Sequence, residues 1–295
     1  MLNYNQLPLR SGALEVHYAE GKKNKSLKVH YLHGESLSPS EEEKCIVVLP
    51  GLDDSVFYYE HALNLFREMN PQWSLMAIDL RGQGRTFDEE LSISDQKVPL
   101  EQQAEILEKV LSQLNIRKVF LVALSYGAGV SMTYAQLHHH RLLGLGLIAP
   151  YVTKFKRYKP GVTGLYYSLV FMNPFYKSFS RASLAAYFYS AKLKNRLNPN
   201  VNWTSKRLDA LTKLTLGILD LETDQALDRM PHLPLGIHLL TACQDTVIPI
   251  TAHRHFYNRI PKSMDKTFSL EDGIGHRVLQ QHPKRASKWL HRVLS

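Results

Sequence analysis

Apolar and polar residues follow two different periods along the first half of the chain, and each period predicts a different element. Period-2 alternation predicts an antiparallel pair of strands at Leu14–Ala19 and Leu27–Leu32. Continuous apolar runs predict strands buried on both faces, at Cys45–Leu49, Ser74–Leu80, Lys118–Leu124 and Leu142–Ala149. Helical spacing predicts helices between them, over Val56–Asn70, over Pro99–Asn115 and from Ser125 to His140. Because the strands alternate with helices, the chain predicts βαβ units and a mostly parallel sheet flanked by helices.

The pattern changes at Pro150. No clean strand pattern occurs from Tyr151 to about Pro231, where helical spacing predicts helices at Gly164–Val170, Ser183–Leu193 and Ser205–Leu219. Strand patterns return at Leu235–Ala242 and Lys266–Leu270, and Pro283–Val293 predicts a closing helix. We therefore expect a core formed by residues 1–150 and 232–295, with a helical cap at residues 151–231 inserted between two core strands.

Composition narrows the class of protein. The chain has 295 residues, of which 44% are hydrophobic and 21% charged, as in ordinary globular proteins. No apolar run approaches the roughly 18 residues of a spanning helix, and the N-terminus lacks the basic and apolar regions of a signal peptide. The two cysteines, Cys45 and Cys243, lie in apolar runs that predict buried strands and do not form a disulfide framework. These features lead us to expect a cytoplasmic protein.

The net charge of +9 comes almost entirely from the segment between Tyr151 and Leu208. This segment has no Asp or Glu, is rich in Tyr and Phe, and contains eleven basic residues: Lys154, Lys156, Arg157, Lys159, Lys177, Arg181, Lys192, Lys194, Arg196, Lys206 and Arg207. Three interpretations are open. The aromatic residues pack inward while the charges are solvated, or the segment rests on anionic lipid at the membrane face, or it binds nucleic acid. We disfavour nucleic acid as a partner because the sequence contains no recognised binding module.

A serine follows the third buried strand directly, in the sequence Ala123-Leu-Ser125-Tyr-Gly127, and a predicted helix begins there. This arrangement resembles a nucleophile elbow, in which the serine lies on a sharp turn from strand to helix. The residues two positions before and after the serine must be small, because strand and helix approach closely. Gly127 fits the pattern, and Ala123 replaces the commoner glycine. The alternative is an ordinary strand–turn–helix with an incidental serine.

An acid and a base follow the serine in the order Ser, Asp, His. Asp245 comes directly after the strand at Leu235–Ala242, and His276 lies between the last strand and the last helix. A serine hydroxyl is a weak nucleophile until a base takes its proton, and a neutral histidine needs a carboxylate to fix its tautomer. We therefore predict catalytic roles for Ser125 as nucleophile, His276 as general base and Asp245 as orienting acid. Asp53 and Asp54 are alternative acids, disfavoured because they precede the serine.

With these motifs, nearly the whole chain resembles the α/β-hydrolase superfamily. The resemblance implies two oxyanion donors, the backbone N–H groups of Leu52 and Tyr126. The first donor lies in the loop Leu49-Pro-Gly51-Leu-Asp, where Pro50-Gly51 replaces the commoner His-Gly pair. A His-Gly pair does occur at His33-Gly34, but it follows a period-2 strand, so we do not assign it to the oxyanion loop. Together with Asp79-Leu-Arg-Gly-Gln-Gly-Arg85, the Pro50-Gly51 pair is most similar to the lysophospholipase and monoacylglycerol lipase branch.

The resemblance implies a serine hydrolase that cleaves carboxylic esters through an acyl-enzyme, with lipophilic monoacyl esters such as lysophospholipid or monoacylglycerol as expected substrates. No metal or organic cofactor is expected. The run His138-His139-His140 predicts cations at a helix C-terminus rather than a metal site, because consecutive helical side chains point in different directions. An acyltransferase or C–C hydrolase with the same residues, or a non-catalytic binding protein on this fold, are the alternatives.

Overall fold

An eight-stranded sheet runs through the described part of the chain in the order β1-β2-β4-β3-β5-β6-β7-β8. The computed structural model describes residues 8–20, 23–38, 43–87, 97–152, 189, 192, 201–219, 221, 223–228, 230 and 235–295. Its strands are β1 (Arg10–Glu20), β2 (Lys23–Gly34), β3 (Cys45–Leu49), β4 (Ser74–Ile78), β5 (Val119–Leu124), β6 (Leu142–Ile148), β7 (Gly236–Ala242) and β8 (Lys266–Glu271). Strand β2 is antiparallel to both β1 and β4, and all other neighbours are parallel.

Helices cover both faces of the sheet. They are α1 (Glu60–Met69), α2 (Leu100–Gln113), α3 (Tyr126–His138), α4 (Ser205–Ile218), α5 (Thr223–Asp228), α6 (Ile250–Arg259), α7 (Val278–Gln281) and α8 (Pro283–Leu294), with 3₁₀ turns at Val56–Tyr58 and His139–Arg141. Alternate residues of β3 face opposite cores: Val47 packs on the side of α2 and α3, and Val48 packs on the side of α1 and α8. The buried apolar runs are therefore strands between two helical layers, the α/β-hydrolase architecture predicted from the sequence.

The structure corrects several details of the predicted elements. The predicted helix over Val56–Asn70 is a 3₁₀ turn followed by α1, because the Ser55 side chain caps the N–H of Phe57 and Asp79 accepts the N–H of Val56. Cys243 lies in the turn after β7 rather than in the strand. Both cysteines are free. The short helix α7 had no counterpart in the prediction.

The described part of the predicted cap includes α4, close to its predicted bounds. Leu214 and Ile218 join the main hydrophobic core, and a Cβ on Gly217 would lie 1.7 Å from the carbonyl oxygen of Val98. Helix α4 is thus packed backbone-to-backbone against the segment before α2. The other predicted cap helices, Gly164–Val170 and Ser183–Leu193, lie outside the described residues except for positions 189 and 192, and the cap boundaries remain a prediction.

Along the described ranges, no helix combines the length and the apolar character that crossing a membrane requires.

Candidate active site

Ser125 occupies the turn between β5 and α3 in a strained backbone conformation. Its φ of 49° and ψ of −106° are rare for a residue with a side chain, and such conformations cost on the order of 1–3 kcal/mol. The surrounding backbone holds it there: Ser125 N–H donates to the carbonyl of Ile148 at 3.0 Å, and its own carbonyl accepts from Ala128 and Tyr151, both at 3.1 Å. The strain is therefore maintained by hydrogen bonds to the next strand end and to the first turn of α3.

Gly127 is required by the close approach of α3 to the end of β3. A Cβ at this position would lie 2.8 Å from the carbonyl oxygen of Pro50 and 3.0 Å from that of Leu49, and both neighbours are backbone atoms. Ala123, two residues before the serine, is fully buried. The small residues expected on each side of the serine thus occupy a tightly packed turn.

Asp245 and His276 form a direct pair. The distance from His276 Nδ1 to Asp245 Oδ2 is 2.7 Å, and the other carboxylate oxygen accepts the N–H groups of Val247 and Ile248, each at 2.8 Å. Burial acts to raise the pKa of Asp245, but the hydrogen bond and charge of His276, together with the two backbone donors, hold this pKa below its usual value. The carboxylate is therefore stable in its ionised form.

The loops that carry these residues meet at one edge of the sheet. Strands β5, β6, β7 and β8 are consecutive neighbours, and their carboxyl ends point the same way because they are parallel. Ala149 N–H donates to the carbonyl of Leu240 at 2.8 Å, and Gln244 N–H donates to that of Ile274 at 3.0 Å. Ser125, Asp245 and His276 are thus brought to the same edge by the topology predicted from the sequence.

Of the two residues predicted to supply oxyanion donors, Tyr126 lies in the elbow itself and Leu52 lies in the turn after β3, where a Cβ on the neighbouring Gly51 would be 3.8 Å from Ser125 Cβ. Tyr126 is the first residue of α3, and its buried hydroxyl accepts from the side chain of Gln103 at 3.2 Å. Leu52 is half-buried in the turn after β3. The preceding residue, Gly51, is held by two polar side chains: its N–H donates to the Tyr59 hydroxyl at 3.4 Å, and its carbonyl accepts from Gln83 Nε2.

The turn after β4 supports this loop through a buried carboxylate. Asp79 accepts the hydroxyl of Ser55 and the N–H groups of Val56 and Arg85, each at 2.8 Å. Gly84 has a φ of 45°, and a Cβ there would lie 2.0 Å from an Asp79 oxygen. The glycine therefore makes room for the carboxylate that ties the two loops together.

Asp53 and Asp54, the alternative acids, bind other partners. Asp53 Oδ2 accepts from Arg277 at 2.9 Å. Asp54 is buried and accepts from Ser55 N–H, from the Tyr59 hydroxyl and from the side chain of Gln280. Burial raises the pKa of Asp54 to about 6, with the charge of Asp53 acting in the same direction, while the Tyr59 hydrogen bond opposes the shift.

Sequence reasoning missed His253, which lies on α6, the helix that follows Asp245. The imidazole is fully buried, and its Nε2 lies 3.0 Å from the carbonyl oxygen of Pro150. Burial lowers the pKa of His253 to about 4, and the charge of His276 acts in the same direction, while Asp245 and the Pro150 carbonyl oppose it. Its position eight residues after Asp245 was the only sequence signal, and it did not distinguish a buried imidazole from an exposed one.

The remaining candidates lie away from this edge. His33 and Gly34 are inside β2, paired with the start of β4, and so lie at the opposite end of the sheet from Ser125. His138 contacts Glu105 at 3.1 Å. Within the described ranges, no group of three or more His, Cys, Asp or Glu side chains is placed to hold a metal ion.

A mostly parallel sheet with a strained serine at the strand–helix turn and an Asp–His pair after two later strands defines a hydrolase of the α/β-hydrolase fold. The family model described as serine aminopeptidase, S33 matches residues 40–282, and the chain belongs to that family. No curated protein matches the chain at a significant level. The narrower lysophospholipase branch remains an interpretation.

Similar solved structures share the fold at low sequence identity. A thermophilic esterase from Thermogutta terrifontis is 15% identical with a TM-score of 0.65, over 96% of this chain and 98% of that one. A membrane phospholipase A described as a bacterial virulence factor is 16% identical with a TM-score of 0.57, over 96% and 86%. A haloalkane dehalogenase from Agrobacterium tumefaciens C58 is 17% identical with a TM-score of 0.67, over 96% of each chain. These likenesses establish the fold, which hosts several chemistries.

Proposed function

We propose that this chain hydrolyses carboxylic esters through an acyl-enzyme, with Ser125 as nucleophile. The observation that carries the proposal is the 2.7 Å Asp245–His276 pair at the same sheet edge as a serine in an elbow conformation. Ser125 Oγ attacks the ester carbonyl carbon while His276 Nε2 takes the hydroxyl proton. His276 then protonates the leaving alcohol. In the second half of the reaction, water attacks the acyl-enzyme while His276 takes its proton, and His276 returns that proton to Ser125 Oγ as the acid leaves.

Asp245 and two backbone donors complete the mechanism. The Asp245 carboxylate accepts the Nδ1–H of His276, which leaves Nε2 free to accept a proton and stabilises the imidazolium once formed. The N–H groups of Leu52 and Tyr126 would stabilise the negative charge on the carbonyl oxygen. Donors of this kind lie in a low-dielectric site and typically contribute on the order of a hundredfold or more each in kcat.

The substrate we favour is a lipophilic monoacyl ester, such as a lysophospholipid or monoacylglycerol. An apolar cluster next to the oxyanion loop supports this choice: Leu52 and Trp203 pack against the buried side chains of Leu208 and Leu211 on α4. Two of the similar structures are described as an esterase and a phospholipase A, whose substrates are carboxylic esters.

An aminopeptidase activity is the second candidate, because the matching family model carries that description. An aminopeptidase needs a carboxylate to bind the substrate ammonium group. Asp53 is neutralised by Arg277, Asp54 accepts from Tyr59 and Gln280, and the segment from Tyr151 to Leu208 has no acidic residue. The two carboxylates of the oxyanion loop are thus engaged by other side chains, which favours an ester. An aminopeptidase would have to use the cap carboxylates that follow Leu208, which are Asp209, Asp220, Glu222, Asp224 and Asp228.

The direct test compares p-nitrophenyl esters of increasing acyl length with aminoacyl p-nitroanilides. We expect hydrolysis of the esters, with kcat/KM rising with chain length, and negligible release from the anilides. Hydrolysis confined to aminoacyl anilides would replace the ester proposal by the aminopeptidase. Adding an alcohol acceptor to the ester assay distinguishes acyl transfer, which yields a new ester, from hydrolysis.

We also propose that the basic segment between Tyr151 and Leu208 binds anionic membrane surfaces, a proposal that rests on its sequence alone. Co-sedimentation of the protein with anionic and zwitterionic vesicles should show binding to the anionic ones, weakened at high salt because the Debye length shortens to about 3 Å at 1 M. Reversing Lys154, Lys156, Arg157 and Lys159 to Glu should reduce this binding without changing hydrolysis of a short soluble ester. Equal or absent binding to both vesicle types would contradict the proposal.

A further inference from the structure

The oxyanion loop and the histidine loop come from strands that are not neighbours. The oxyanion loop (Gly51–Ser55) follows β3, with β5, β6 and β7 between it and β8. The segment that carries the histidine, which we call the histidine loop (His276–Gln280), comes after β8 and includes the first residues of the short helix α7. At about 4.8 Å per strand, four spacings separate these strands by about 19 Å. Because β3 and β8 are not neighbours, their own pairing cannot join the two loops directly.

Two side-chain contacts nevertheless join these loops directly. Arg277, the residue after His276, donates from Nη2 to Asp53 Oδ2 at 2.9 Å. Gln280 donates from Nε2 to Asp54 Oδ2. The contacts connect residues that are 224 and 226 positions apart in sequence, and they join the oxyanion side of the candidate site to the side that carries His276.

Asp54 extends this link to the backbone that precedes the oxyanion donor. The Tyr59 hydroxyl donates to Asp54 Oδ2 at 2.8 Å and accepts the N–H of Gly51 at 3.4 Å. Ser55 N–H donates to the other carboxylate oxygen at 2.9 Å. One buried carboxylate thus connects the residue before Leu52 to a residue four positions after His276.

We propose that Asp53 and Asp54 are positioning residues whose contacts with Arg277 and Gln280 hold the Leu52 N–H in register with His276. The inference rests on the proposed function, since it assigns these four side chains to the geometry of ester hydrolysis. In acyl transfer the oxyanion donor and the base must act on one tetrahedral intermediate, and a misplacement of about 1 Å can cost a hundredfold in rate.

The Asp53–Arg277 pair offers the cleaner test because both side chains are partly exposed, at 29% and 28%. Exposed ion pairs contribute little to stability, so the fold should tolerate their loss. Asp53→Asn and Arg277→Gln should each lower kcat on a short soluble ester about tenfold, with KM within about twofold, since the lost contact acts on the transition state. The double variant should be no more than about twofold worse than the worse single variant. Arg277→Lys, which keeps the charge, should recover kcat to within about threefold of the unchanged protein.

Arg285→Gln is the matched control. Arg285 also bonds the end of β8, through the carboxylate of Glu271, and the next residue, through the carbonyl of Asp272, but no hydrogen bond to the oxyanion loop is seen for it in the described structure. Its kcat should stay unchanged. Asp54→Asn should lower kcat further than Asp53→Asn. Because Asp54 is buried, the thermal midpoint of the Asp54→Asn variant is measured as well, so that a loss of folded protein is distinguished from a loss of positioning.

The outcomes separate this inference from the proposed function. If the unchanged protein hydrolyses esters and labels at Ser125 with a fluorophosphonate, but all four variants of the pair keep kcat within twofold, the positioning role is wrong. Strictly additive losses in the double variant would also contradict it. If the unchanged protein neither hydrolyses esters nor reacts with the probe, the proposed function itself fails, and this inference fails with it.

Discussion

Replacing His253 by glutamine should reduce the loss of stability that the protein undergoes on acidification. The imidazole is fully buried beside the Asp245–His276 pair, and burial lowers its pKa to about 4. An unfolded histidine titrates at about 6.5. Between these two values the unfolded chain binds a proton that the folded chain does not, so the free energy of unfolding falls as pH falls through this window.

The size of the effect follows from the two pKa values. Complete titration across about 2.5 pH units, at 1.36 kcal/mol per unit, amounts to about 3 kcal/mol. The same linkage gives a loss of about 1 kcal/mol between pH 7.5 and pH 5.5, and of about 2–3 kcal/mol by pH 4.5. Glutamine removes the titration, and its side-chain N–H can still donate to the carbonyl of Pro150.

Urea unfolding at several pH values measures this contribution as a difference between the two proteins. Asp54, whose raised pKa acts with the opposite sign below pH 6, is present in both and cancels in the comparison. The wild type should lose stability relative to His253→Gln as pH falls from 7.5 to 4.5 (range chosen to span the about 2.5-unit window). His61→Gln, a change on the exposed face of α1, is the control for replacing a histidine. A stability gap that does not change with pH would refute the reasoning.

Three further predictions concern the elbow and its partners. Gly127→Ala should cost about 1–3 kcal/mol of unfolding free energy, because the new Cβ meets the Pro50 carbonyl oxygen at 2.8 Å. The same clash should displace the oxyanion loop and lower kcat. Urea unfolding and kcat that both stay unchanged would contradict this. Asp245→Asn should lower kcat on the order of ten-thousandfold by favouring the wrong tautomer of His276, and a mild effect there beside a severe one in Asp54→Asn would reassign the acid. The ratio kcat/KM should fall at acid pH because only a neutral imidazole accepts the serine proton, so a flat profile would exclude a histidine base.

The fold could be predicted because its central strands are buried on both faces. Such strands must be continuously apolar, and the runs at Cys45–Leu49 and Leu142–Ala149 fall within one residue of β3 and β6. The first two strands were predicted too short, since β1 and β2 pair from Arg10 to His33 while residues 10–13 and 24–26, which the prediction missed, are exposed or half-buried. Backbone pairing needs no apolar side chain, so hydrophobic patterning cannot show where a hairpin ends.

Within the candidate site, local signals and long-range contacts behaved differently. Ser125, Asp245 and His276 were predictable because each follows a strand in a short motif, and parallel topology brings such positions to one edge. The Asp53–Arg277 contact joins loops 224 residues apart, and no local pattern marks it. The burial of His253 likewise depends on how α6 packs near Pro150, which the helix's own sequence does not specify.

The most direct test of the account is the reaction of Ser125 with a fluorophosphonate probe, measured together with ester turnover. The wild-type protein should hydrolyse a p-nitrophenyl ester and take up the probe at Ser125, as located by peptide mass analysis. Ser125→Ala should keep its unfolding midpoint but lose labelling and fall in kcat by on the order of a millionfold. Near-native turnover in the alanine variant, or labelling of a different serine in the wild type, would contradict the assignment of Ser125 as nucleophile.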